Sequence, residues 1–107
     1  MTYREAFRAN MRPYMLPHDS VEFLLTEQGL SQDDEYVADE ENRKSLFTAV
    51  VNGLSQVISL KEEKDTGSTQ TYDVEAVKIR IRILCRRYGI DNPLEEGEQF
   101  VDRTNEW

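Results

Sequence analysis

Apolar residues recur along most of this chain at intervals of three and four, the period at which one face of a helix turns inward. Tyr3, Phe7 and Met11 fall four apart, and Thr2 with Glu5 has the capping-box spacing. A first helix is therefore predicted over about Thr2 to Met11. Pro13 and Pro17 bracket a bend through Tyr14, Met15 and Leu16. A second, short helix is predicted from Asp19 or Ser20, with Asp19 and Glu22 again at capping-box spacing. Val21, Phe23, Leu24 and Leu25 supply its apolar side, and Gly29 suits the left-handed position beyond its end. The third helix is the longest, about Asp39 to Leu60. Leu46, Phe47, Val50, Val51, Leu54, Val57 and Ile58 keep the helical spacing along it, and its length corresponds to a rod of roughly 30 Å. Gly53 inside that helix costs about 1 kcal/mol relative to Ala, which implies the close approach of another backbone.

The segment Val77-Lys-Ile-Arg-Ile-Arg-Ile83 alternates apolar and basic residues and is rich in β-branched side chains, as a half-buried strand would be. Its context favours a helix over Asp73 to Tyr88. Asp73 can cap it, and Val74, Val77, Ile81, Leu84 and Tyr88 form a helical stripe. Arg86 and Arg87 suit the negative end of a helix dipole, and Gly89 suits its close. A strand would also need a partner, and no other clear strand is present. Between the helices, Ser31 to Glu41 holds six acids and no base and reads as a solvated connector into the third helix. Asp65 to Tyr72 reads as a loop with a turn at Thr66-Gly67-Ser68. The expected fold class is all-α: a small bundle of about four helices with an extended loop or arm between the last two long helices. Residues 1–92 form the helical domain. Residues 93–107, entered through Pro93, form an acidic and partly ordered C-terminal tail.

Charge sharpens this picture. The chain has 107 residues and a formal net charge of -8. Residues 73–90 nevertheless hold five bases (Lys78, Arg80, Arg82, Arg86, Arg87) against two acids. Over most of its surface such a protein repels phosphate backbones and anionic membranes, which argues against sequence-specific nucleic-acid binding and against a membrane surface. The single Cys85 cannot form an intrachain disulfide and reads as a buried small hydrophobe in a reducing cytoplasm. The amphipathic start is unlike a signal peptide, and no apolar run reaches about 18 residues.

Catalytic and metal-binding patterns are scarce. His18, the single histidine, has no second His or Cys to share a conventional zinc site, and it reads as a surface or capping residue. The acids from Asp33 to Glu41 place Val37 and Ala38 where a calcium loop needs an oxygen donor and a glycine. The five glycines form no phosphate loop. No enzyme activity, small-molecule substrate or cofactor is expected.

The basic segment reads as a solvated face pairing with acids on neighbouring helices, as a protein interface, or, least favoured because surrounding acids oppose phosphates, as a nucleic-acid contact. On a helix Lys78, Arg82 and Arg86 form a ladder at every fourth residue. The order of features also resembles a known group. The run Val21-Glu-Phe-Leu-Leu-Thr-Glu-Gln-Gly-Leu-Ser-Gln-Asp-Asp-Glu-Tyr36, a long helix, Gly67-Ser-Thr-Gln-Thr-Tyr-Asp-Val-Glu-Ala-Val77 and Leu84-Cys-Arg-Arg-Tyr-Gly89 resemble small proteins of tailed phages and prophages. The group is that of head–tail connectors, or head-completion adaptors, of the Bacteroidetes type, and the resemblance spans about residues 20–90. It implies a helical subunit of a ring between portal and tail, with Asp65 to Tyr72 as an arm touching a neighbour or the portal. The segregation of charge separately sets Lys78, Arg82 or Arg86 of one copy against Asp33–Glu41 (Asp33, Asp34 and Glu35 first among them) or the acidic tail of the next, and the expected interface also includes Gly67, Thr69, Thr71 and Tyr72 of the arm. Partners would be other copies of the chain or phage portal and tail proteins, and the protein would be cytoplasmic or a virion component. The alternative is a monomeric acidic module that binds a protein, as an inhibitor or a nucleic-acid mimic.

Overall fold

The computed structural model describes residues 1–64 and 74–94, with side chains described outside 60–64. Among these residues the chain forms four helices: α1 (Tyr3–Met11), α2 (His18–Glu27), α3 (Glu40–Lys64) and α4 (Val74–Tyr88). The fold is all-α, as the hydrophobic periodicity predicts. The arm proposed between α3 and α4, with Gly67, Thr69, Thr71 and Tyr72, and the tail beyond Leu94 lie outside the described residues.

Helix α3 is the hub. α1, α2 and α4 all pack against it, and α1 also meets α2. Its buried residues Leu46, Ala49, Val50, Val51, Leu54, Val57 and Ile58 spread over about 200° of its circumference at the helical period. A stripe that wide fits a helix covered on several sides. α4 has a narrower stripe, with Val77, Ile81 and Cys85 buried. It runs antiparallel to α3, and the Tyr88 ring at its end stacks on Phe47 near the start of α3 at 4.4 Å between centroids.

The helix ends are set by local chemistry. Thr2 caps α1: its Oγ1 accepts from the Glu5 N–H at 3.2 Å, while the Glu5 carboxylate accepts from the Thr2 N–H at 2.8 Å. Asp39 caps α3 by accepting from the Asn42 N–H at 2.7 Å. At the end of α2, Gly29 has φ +75. The Leu30 N–H donates to the Leu25 carbonyl and the Gly29 N–H to the Thr26 carbonyl, which satisfies two carbonyls left over by the last turn. Gly89, at φ +67, closes α4 in the same sense, with the Ile90 N–H donating to the Cys85 carbonyl.

Four local expectations need correction. Helix α2 starts at His18, with Pro17 at the cap position and no side-chain cap, so Asp19 lies inside the first turn. Phe23, expected on the apolar side of α2, is 59% exposed, and Val21, Leu24 and Leu25 alone carry that face. Phe23 precedes two buried leucines by one and two residues, so its place on the wheel falls opposite the core. Gly53 admits side chains and not a backbone: a Cβ there would lie 2.9 Å from Phe7 Cζ, 3.1 Å from Met11 Sδ and 3.3 Å from Leu16 Cδ1. Phe7 therefore reaches the middle of α3.

The acidic connector is the fourth. Its side chains at Asp33, Asp34 and Glu35 are exposed, but its backbone is bound to the start of the chain. The N–H groups of Tyr3 and Arg4 donate to the carbonyls of Asp34 and Gln32, and the Tyr36 N–H donates to the Met1 carbonyl. The connector thus takes up two of the N–H groups that the first turn of α1 would otherwise leave unbonded. Tyr36 packs edge-on against Tyr3 at 5.4 Å.

Candidate functional site

Val77, Ile79, Ile81 and Ile83 would share one face of a strand. On helix α4 they divide into two opposite sets. Val77 and Ile81 are buried at 1% and 0%, while Ile79 and Ile83 are 48% and 52% exposed. The alternating pattern thus serves two helix faces, one against α3 and one outward. At 100° per residue the exposed isoleucines, one turn apart, lie along the outermost line of the helix, with Arg82 and Arg86 to one side and Arg80 and Arg87 to the other. Arg82, Arg86 and Arg87 are exposed, and Arg80 is half-buried.

The predicted cationic ladder is not uniform. Lys78 lies towards α3, half-buried, with its Nζ 3.9 Å from the Glu75 carboxylate one turn earlier. Arg80 reaches across to the end of α1, where its guanidinium donates to the Arg12 carbonyl at 2.7 Å. It serves the tertiary fold by bonding a carbonyl beyond the last turn of that helix. Arg82 and Arg86 stand on the outer half of α4.

Two of the acids expected to face this ladder, Asp33 and Glu35, pair within the same chain. Asp33 pairs with Arg4 at 2.7 Å, and the Glu35 carboxylate accepts from the amino-terminal ammonium of Met1 at 2.6 Å. The hydrogen bond to Glu35 is the main cause that raises the pKa of the amino terminus above its ordinary value. The bond that the Glu5 carboxylate accepts from the Thr2 backbone lowers the Glu5 pKa. Asp34 contributes its carbonyl to the turn. The structure therefore gives this acidic segment a role in holding the start of α1.

A second acidic surface lies on α2, and sequence periodicity alone does not mark it. Asp19, Phe23 and Glu27 stand one turn apart on its outer line, with Glu22 beside them, and all four are exposed. His18, Asp19 and Glu22 each bring a potential ligand atom within 4.8 Å of the others, all at exposed positions. The spacing of i, i+1 and i+4 in one helical turn was legible in the sequence. An open groove of about 950 Å³ lies beside the start of α3 and the end of α4. Asp39, Glu40, Glu41, Arg43, Lys44, Arg87 and Tyr88 line it. Charges of both signs mix there, and the Arg43 guanidinium donates to the Ala38 carbonyl at 2.8 Å.

A family described as "Family of unknown function (DUF6706)" matches the chain over residues 1–107. The chain belongs to DUF6706. No curated protein and no solved structure matches it. The surface of this DUF6706 member carries an apolar line set among arginines on α4 and an aromatic set among carboxylates on α2. Among the described residues no helix is long and apolar enough to cross a membrane.

Proposed function

We propose that the chain is a structural assembly protein, a non-enzymatic subunit that joins other protein subunits, of the kind its sequence resembles in phage head–tail connectors. The observation that carries this reading is the outer face of α4, where Ile79 and Ile83 remain half-exposed among arginines. Two branched aliphatic side chains one turn apart gain nothing from water. Covering them removes apolar area worth about 25 cal/mol per Å², and flanking charges give such a contact its specificity. The all-α fold built around one hub helix is compatible with the ring subunit that the resemblance implies. An acidic exterior would also let DNA pass a ring without adhering.

Light scattering across a protein concentration series at low and high salt tests the reading. Concentration-dependent association that weakens as salt rises is expected, because exposed charges more than about 8 Å apart are screened at physiological ionic strength. A monomer at every concentration and both salts would overturn it. A tight complex with a basic DNA-binding protein, without self-association, would select the acidic-module alternative.

A further inference from the structure

The apolar face of α4 needs an occupant, and the chain carries a complementary surface of its own. We propose that the outer face of α4 of one copy docks onto the outer face of α2 of the next. Phe23 would pack against Ile79 and Ile83, and the carboxylates of Asp19, Glu22 and Glu27 would meet the exposed Arg82, Arg86 and Arg87 of α4. The inference rests on the assembly reading and specifies which two surfaces meet.

Three observations single out this pairing. First, the apolar parts match in kind and exposure: Phe23 is 59% exposed, and Ile79 and Ile83 are about half exposed. Each lies on the outermost line of its helix. Second, the charges are opposite. α2 contains three acids and no lysine or arginine, whereas α4 contains five bases and one acid. An α4-to-α4 contact would oppose arginine to arginine, and an α2-to-α2 contact would oppose carboxylate to carboxylate, so both symmetric pairings are disfavoured. Third, the other acidic surfaces among the described residues are less suitable. Asp33 and Glu35 already pair with Arg4 and the amino terminus, and the acids at the start of α3 share their groove with Arg43, Lys44 and Arg87.

The two faces cannot satisfy each other within one molecule. Both α2 and α4 pack on α3, and among the described residues they make no helix-to-helix contact. The contact must therefore be between copies, and it joins two different surfaces. Such a head-to-tail contact closes into a ring when the rotation allows and otherwise extends as a filament. The electrostatic part sets register and partner choice, while the three apolar side chains form the buried centre.

A mixing experiment distinguishes this geometry from every symmetric one. One variant, Phe23→Asp, disables the α2 face, and a second, Ile79→Glu with Ile83→Glu, disables the α4 face. These positions are exposed, and circular dichroism checks that each variant remains folded. Glu27→Arg and Arg86→Glu repeat the test with the apolar residues intact. Sedimentation velocity at low salt should show each variant associating at least about tenfold more weakly than the parent chain. The two apolar-face variants mixed in equal amounts should form a dimer and stop there, because one intact face of each kind remains. Association undiminished in either variant, or a mixture that stays monomeric, overturns the proposed contact while leaving assembly itself in place. A parent chain that never associates overturns both readings together.

Discussion

Replacing Gly53 with alanine sets two effects of opposite sign against each other. In a helix interior alanine is favoured over glycine by about 1 kcal/mol. At this position, however, the new methyl would stand 2.9 Å from Phe7 Cζ, 3.1 Å from Met11 Sδ and 3.3 Å from Leu16 Cδ1. Non-bonded carbons rest at about 3.5–4.0 Å, so the phenyl ring must retreat by roughly 0.6 Å or more. Met11 can re-aim its thioether and Leu16 its terminal methyl. Phe7 is 1% exposed, and its ring can move away only if α1 shifts on α3. Overpacking of this kind costs about 1–3 kcal/mol, so Gly53→Ala should be destabilising by about 1 kcal/mol net. Urea denaturation followed by circular dichroism measures it. The companion experiment shortens the ring first. In a Phe7→Leu background the same alanine substitution should be neutral or stabilising, a coupling of about 1 kcal/mol or more between the two sites. If Gly53→Ala alone raised stability by the full helix-propensity gain, the reasoning would fail and α1 would sit more loosely on α3.

Two further outcomes follow from the described geometry. Ile81→Ala should cost about 2–5 kcal/mol because Ile81 is fully buried against α3, whereas Ile79→Ala should change stability by no more than about 0.5 kcal/mol. Comparable losses at both positions in a denaturation experiment would contradict the two-faced helix. The pH dependence has one contribution at each end of the scale. The amino terminus, raised above 8.0 by Glu35, contributes stability that is complete below its ordinary value and is lost as pH rises through the raised one. Glu5, lowered below 4.5 by the Thr2 backbone bond, contributes stability that is present above its ordinary value and is lost as pH falls through the lowered one. Acetylating the amino terminus should abolish the alkaline contribution and Glu5→Gln the acidic one in thermal scans against pH. Unchanged profiles would show that neither bond is maintained in solution.

The resemblance to connector proteins and the family membership bear on different questions. DUF6706 membership covers the whole chain and carries no activity with it. The assembly reading depends instead on the outer face of α4, and the proposed contact on α2 as well; those surfaces were only partly visible in the sequence. The cationic segment could be read directly. Its outward apolar line was only implicit: the helical stripe through Val77 and Ile81 leaves out Ile79 and Ile83, while the alternation taken alone fits a one-sided strand. The apolar neighbours of Phe23 suggest a core position, whereas the structure turns it to solvent.

What the sequence determined by itself are the features made by residues close in the chain. The capping box of Thr2 and Glu5, the left-handed glycines at Gly29 and Gly89 and the wide apolar arc of α3 all involve partners within a few positions, so spacing and residue type suffice to specify them. Tertiary structure decided the rest. It placed Phe7 in the space left by Gly53, sent Arg80 to the Arg12 carbonyl and joined Asp33 and Glu35 to the start of α1. These partners lie more than thirty residues apart except for Asp33 with Arg4, which spans twenty-nine. No local periodicity records such distances, because which charge or ring lies opposite depends on how three helices settle around the fourth.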